Sequence, residues 1–140
     1  HYLGRVETDW PFRIQMPRGF NVPFHCTASG KTFMASLSKS AREKFIAGLS
    51  LKEHTQNTHT TADSLLKNLK QNAKRGFALD EEEFVEGMVA AAVPVTDHKG
   101  RFVAALAVHG PKQRLSLAQA AACVDCLHSA ADRLRHAIFT

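Results

Sequence analysis

Two apolar stretches, residues 88–95 and 101–109, flank the tetrapeptide Asp97-His98-Lys99-Gly100. No other feature limits the fold as strongly. Valine and alanine dominate both stretches, and the four residues between them are turn formers. The combination predicts an antiparallel β-hairpin. Apolar residues occupy consecutive rather than alternate positions, so the hairpin is expected in the middle of a sheet covered on two sides. In the second stretch Phe102, Ala104, Leu106 and Val108 should meet a bulky core. Val103, Ala105, Ala107 and His109 should face the other way. In the first, Ala90, Ala92 and Pro94 share a face. Small side chains on facing positions leave volume there, and His109 stands at its end.

Elsewhere the apolar period is helical. Thr27 is placed to cap a helix running to Leu37, with Phe33, Met34 and Leu37 inward. Ser40 and Glu43 form a capping-box pattern for a second helix to about Ala47, with Phe45, Ile46 and Leu49 buried. Thr60 and Asp63 open a third, striped by Leu65, Leu66, Leu69 and Ala73 and stopped by Gly76. Ser116 and Gln119 repeat the capping box. They open a long last helix whose stripe is Leu117, Ala120, Ala121, Val124, Leu127, Ala131, Leu134 and Ile138. Short strands are expected over 2–6, 12–16 and 77–80, with Pro17, Gly19 and Pro23 in a loop. The fold class predicted is α/β (α+β), a mostly antiparallel sheet with helices on both faces.

Composition bounds what such a domain does. With 140 residues, 44% apolar and 22% charged, the chain buries one core, and 1–140 reads as a single domain. Its longest apolar run is 8 residues, too short to span a membrane. Three cysteines make no disulfide framework and favour a reducing, cytoplasmic setting. The net charge of +5 is scattered, and the densest basic stretch, 67–75, falls on the outer face of the third helix. No basic-aromatic interleaving points to direct reading of nucleic acid.

The segment His25-Cys26-Thr27-Ala28-Ser29-Gly30-Lys31 carries the most chemistry. Small residues stand where a loop enters a helix. The first amides of a helix lack internal partners and carry partial positive charge, so an anion can approach them. Lys31 either adds charge there or points to solvent. A cavity between this helix start and His109 would suit a small organic acid. The bland reading is a plain helix start, alanines packed against it, and a rim histidine. Asp80, first of the run Asp80-Glu81-Glu82-Glu83, is either part of a solvated turn or faces the cavity. Cys123 and Cys126, with His128 near, lie mid-helix, away from the helix start that activates a thiol. They read as thiols buried in the alanine stripe. Cys26 beside His25 is a candidate nucleophile pair, but adjacent residues of an extended segment would point to opposite faces.

Taken together, several segments resemble the effector-binding domain of the IclR family of bacterial transcriptional regulators. They are Tyr2-Leu3-Gly4-Arg5-Val6-Glu7, Pro23-Phe24-His25-Cys26-Thr27-Ala28-Ser29-Gly30-Lys31, Thr55-Gln56-Asn57-Thr58 and Arg75-Gly76-Phe77-Ala78-Leu79-Asp80-Glu81-Glu82-Glu83. The run from Gly87 through Ala92-Val93-Pro94-Val95, then Ala104-Ala105-Leu106-Ala107-Val108-His109-Gly110-Pro111 and Arg114-Leu115-Ser116 complete the set. The resemblance implies a GAF-like domain that binds a small metabolite, often a carboxylic acid. It implies partners as well: operator DNA through an N-terminal winged helix-turn-helix, and further copies in a homodimer or homotetramer. The winged helix and the effector domain's own first helix and strands have no counterpart here, so a fragment is expected. Carried over by position, the implied ligand-binding residues are Ala28, Ser29, Asp80, Ala90, Ala107 and His109; Gly30 joins them as the third helix-start amide on which a carboxylate would sit.

Family members often carry Cys or Ser where this chain has Ala90, Ala107 and His109. The two alanines enlarge the cavity and remove hydrogen-bonding groups, which argues for a larger, partly apolar, aromatic acid rather than one such as glyoxylate. The expectation is a non-enzymatic sensor without cofactor, catalytic residue, metal or membrane partner. The loops around Thr27 and Asp80 should move, and the last helix should make the subunit contact. The competing readings are a GAF-like thiol enzyme using Cys26, and a metal-binding module using His25, Cys26 and His109.

Overall fold

The computed structural model describes residues 2–6 and 21–139. The elements run in the order α1 (Ala28–Ser36), α2 (Lys39–Ala47), α3 (Ala62–Arg75), β1 (Ala78–Glu81), β2 (Met88–Thr96), β3 (Phe102–Pro111), α4 (Leu117–Ala122) and α5 (Val124–Phe139). The described strands form an antiparallel sheet in the order β1-β2-β3. The strand expected over 12–16, with Pro17 and Gly19, lies outside the described residues. Residues 2–6 form no strand. Leu3 and Val6 project into solvent, so nothing pays for ordering an extended pairing there.

The predicted hairpin is present, closed by Asp97. Its Oδ1 accepts the amides of Lys99 and Arg101, both at 2.9 Å. The expectation that the hairpin lies mid-sheet holds for β2 only. Nearly all of β2 is buried, whereas β3 is half-buried at the margin of the described sheet. One face of β2, Val89, Ala91, Val93 and Val95, packs on Ala120, Val124 and Ala131 of α4 and α5. On the other face Ala90 and Ala92 meet Ala28 at the start of α1, with Ala107 beside them. Helices α1 to α3 close a separate cluster on Met34, Ile46, Leu65 and Leu69. Small side chains on the sheet let the tip of α1 come close.

The expected face of Phe102 is corrected. A register shift at Val95/Thr96 places Phe102 opposite Thr96 and Ala104 opposite Val95. The extra residue turns Phe102 to the α1 side, where its ring meets Phe33 at 5.3 Å. Ala104, Leu106 and Val108 pack on the α5 side as read.

Helix starts differ in detail. Thr27 caps α1 by accepting the Gly30 amide at 3.1 Å. The cap of α2 is Ser38, not Ser40: Leu37 is already extended, and the earlier start lets Arg42 reach back to the Met34, Ala35 and Leu37 carbonyls that end α1. Thr61, not Thr60, caps α3. Gly76 ends α3 at φ 84°, a left-handed turn that a side chain would strain. The last helix breaks at Cys123 into α4 and α5, and Leu134 and Ile138 stay exposed. Cys126 is also exposed, correcting its expected burial, because only the Val124 and Ala131 side of α5 meets the sheet. The capping box at Ser116 forms in full, with the Gln119 amide at 3.1 Å from Oγ and the Ser116 amide at 2.9 Å from Oε1. We expect Ser116→Ala to cost about 1 kcal/mol, measured by urea denaturation.

Candidate functional site

The ladders place Asp80, Ala90 and His109 side by side, one from each strand, on the α1 face. Ala92 and Ala107 form the next row. Facing them is the start of α1. Between lies a cavity lined by Thr27, Ala28 and Ser29 of the helix start, by Tyr2, and by Asp80, Ala90, Ala107 and His109 of the sheet. Phe84, Val85, Met88 and Val89 complete its wall. Its free space is about 40 Å³, room for a few waters. The Tyr2 ring, part of the lining, stacks on His109 at 6.4 Å.

Of the residues expected at a ligand, Ala28, Ser29, Asp80, Ala90, Ala107 and His109 converge here. Gly30 does not. Its amide is taken by Thr27, and a Cβ on it would meet the backbone of Phe24 at 2.5 Å. Gly30 is a close-approach residue that seats the loop on α1. Among the described residues no group takes the amides of Ala28 and Ser29. The sequence did not single out Phe84, Val85 or Tyr2. Two apolar residues following an acidic turn were the available signal.

Lys31 neither points to solvent nor reaches the cavity. It is buried, bound to Glu83 at 2.9 Å and to Asn68 at 3.0 Å. The acidic run is therefore no solvated turn. Glu83 holds Lys31, and Asp80 Oδ1 accepts the Glu83 amide at 2.8 Å. The Asp80 carboxyl is pushed up to about 7, chiefly by burial. His109 sits at the rim, and partial desolvation lowers its imidazole, favouring the neutral ring.

A second loop braces the site. The Thr55 and Thr58 hydroxyls donate to the Glu82 and Glu83 carbonyls, and the Asn57 amide group donates to the Glu81 carbonyl at 3.0 Å. His25 Nε2 lies 2.8 Å from the Lys52 carbonyl. The start of α1, residues 52–58 and the acidic turn are thus tied together.

A model of the bacterial transcriptional regulator IclR C-terminal region matches residues 1–136. The chain belongs to the IclR family. A relative, the probable transcriptional regulator SauR of Cupriavidus necator, is 41% identical over 133 residues, 95% of this chain and 53% of its own length. The chain spans about half of that relative. Among solved structures, the inducer-binding domain of a double mutant of PobR from Acinetobacter, in complex with 3-hydroxybenzoic acid, superposes with a TM-score of 0.80. It is 28% identical, covering 85% of this chain and 69% of that one. The IclR of Thermotoga maritima gives a TM-score of 0.87 at 27% identity, over 96% of this chain and 55% of its own.

This IclR-family chain is an effector-binding domain of a transcriptional regulator. Its relatives are named regulators rather than enzymes. Burial also pushes the Cys26 thiol up to about 12, the opposite direction from an activated nucleophile. Among the described residues no helix is long and apolar enough to cross a membrane.

Proposed function

We propose that the domain senses a carboxylic acid with an apolar, aromatic body. Its occupation would change how a longer regulator, through a winged helix-turn-helix outside this chain, engages operator DNA. The observation that carries this reading is the cavity itself: two helix-start amides that no described residue takes, apolar walls, and the polar side chains of Asp80 and His109. The carboxylate would accept from the amides of Ala28 and Ser29, where the α1 dipole favours negative charge. Phe84, Val85 and Met88 would flank the ring. His109 or Asp80 would bond a second polar group. A ring needs more than the present space, so Tyr2 must leave His109 as the ligand enters. That the PobR domain was solved with 3-hydroxybenzoic acid supports the size class.

The switch would act in a homodimer or homotetramer, through tighter binding to one arrangement of subunits than another. The exposed Leu134 and Ile138 of α5, 40% and 59% accessible, suit the subunit contact. Thermal-shift assays with aliphatic and aromatic acids test the ligand class. We expect stabilisation by aromatic monocarboxylates. A shift confined to two- and three-carbon acids overturns the proposal.

Asp80 adds a pH dependence. Below its raised value of about 7 the neutral carboxyl tolerates a ligand carboxylate, and above it two negative charges share the cavity. Affinity should fall as pH rises past that value, approaching about tenfold per unit. Asp80→Asn should flatten the profile in calorimetric titrations. The free protein obeys the same linkage. The fold retains a proton that the unfolded chain releases from its ordinary 3.8 upward, so this group's contribution to stability falls as pH climbs from there to about 7.

A further inference from the structure

The segment preceding α1 is bent over residues 24–27 rather than extended. The bend overturns the expectation that His25 and Cys26 point apart. It brings them to one side, and His54 arrives from the braced loop. One donor atom from each lies within 4.8 Å of the others. We propose that His25, Cys26 and His54 form a three-ligand site for a thiophilic divalent cation of the zinc class. His109, assigned to such a site in the sequence-based alternative, is not part of it.

The donor set and its surroundings agree with that class. One sulfur and two imidazole nitrogens are the ligands a borderline-soft cation prefers. Zinc-to-ligand lengths place tetrahedral donors about 3.4–3.6 Å apart. The present limit of 4.8 Å leaves little more than an ångström to close, and the exposed His54 side chain is free to move toward the other two. His25 already has the support a ligating histidine needs. Nε2–H donates to the Lys52 carbonyl at 2.8 Å, which leaves the Nδ1 lone pair to bind. Cys26 is fully buried, while His54 is open to solvent and gives the ion its route in. On binding, Cys26 forms the sulfur–metal bond and releases its proton to water. Asp80 and Glu83 act on Cys26 with a field favourable to a cation, opposed by that of Lys31. Three protein ligands leave a fourth position for water.

The site adjoins the effector cavity without sharing its lining. The His54 ring packs edge-on against Phe84 at 5.2 Å, and Phe84 forms part of the cavity wall. An occupied site would therefore restrain that wall and the residue before Thr27.

The test is a cobalt titration of the untagged, chelator-treated protein. We expect one equivalent to give tetrahedral visible bands together with a thiolate-to-cobalt charge-transfer band, both displaced by zinc. His54→Ala changes only an exposed side chain, so the fold should survive, and the affinity should drop at least about tenfold. Cys26→Ser should abolish the charge-transfer band. Absence of that band in the wild type overturns the proposal. So does a His54→Ala variant that binds cobalt as tightly as the parent.

Discussion

Glu83→Gln should destabilise the domain by about 3–5 kcal/mol, the largest loss expected from a single substitution here. The Lys31 ammonium is fully buried. Its partners are Glu83 Oε1 at 2.9 Å, Glu83 Oε2 at 3.0 Å and Asn68 Oδ1 at 3.0 Å. Removing the negative charge leaves the cation in an environment that cannot solvate it. The same carboxylate accepts the Glu81 amide at 3.1 Å, so the turn loosens as well. Urea denaturation of the single variant gives the cost. The double variant Lys31→Met/Glu83→Leu separates pair from packing. Removing both charges should recover most of the loss, since the pair stabilises chiefly by not being broken. A loss below about 1 kcal/mol for Glu83→Gln would mean that water reaches Lys31.

Gly30→Ala should cost about 2–3 kcal/mol, against the usual sign for a helix. Alanine ordinarily gains up to about 1 kcal/mol over glycine within a helix. Here the added Cβ would lie 2.5 Å from both Cα and the carbonyl oxygen of Phe24. Those are backbone atoms with no rotamer to change. Phe24 is itself wedged between Phe33 and Phe45, at 5.5 and 5.0 Å. The loop must lift away from α1, taking His25 and Cys26 with it. Thermal denaturation should show a drop of about 10 °C. An unchanged or raised midpoint would show that the loop yields freely.

These two positions mark where reading the sequence stops. The hairpin was legible because its apolar runs and turn chemistry are local. So was the row of Ala90 and His109, because strand alternation is regular up to the bulge. The bulge at Val95/Thr96 has no local signature, and it turns Phe102 to the face opposite the one alternation predicts. For helix α2 the capping-box pattern points to Ser40, two residues past the actual cap. The choice of Ser38 was made by the carbonyls ending α1, which Arg42 has to cover. Lys31 was unreadable for the same kind of reason. Its counter-charge lies 52 residues further along. The cavity's sheet residues were found from periodicity and resemblance together. Phe84, which sits in a loop, has no period to betray it.

The hydroxyls of Thr55 and Thr58 and the side-chain amide of Asn57 all donate to carbonyls of one turn, that of Glu81, Glu82 and Glu83. Such a clasp makes two stretches distant in sequence into a single part, and the His25–Lys52 bond and the Lys31–Glu83 pair join the start of α1 to it. Whatever pushes on the wall at Phe84 must carry the tip of α1 with it or break those two links. A stimulus to this domain would thus register as a hinged plate tilting over the sheet, rather than as one loop flapping on its own.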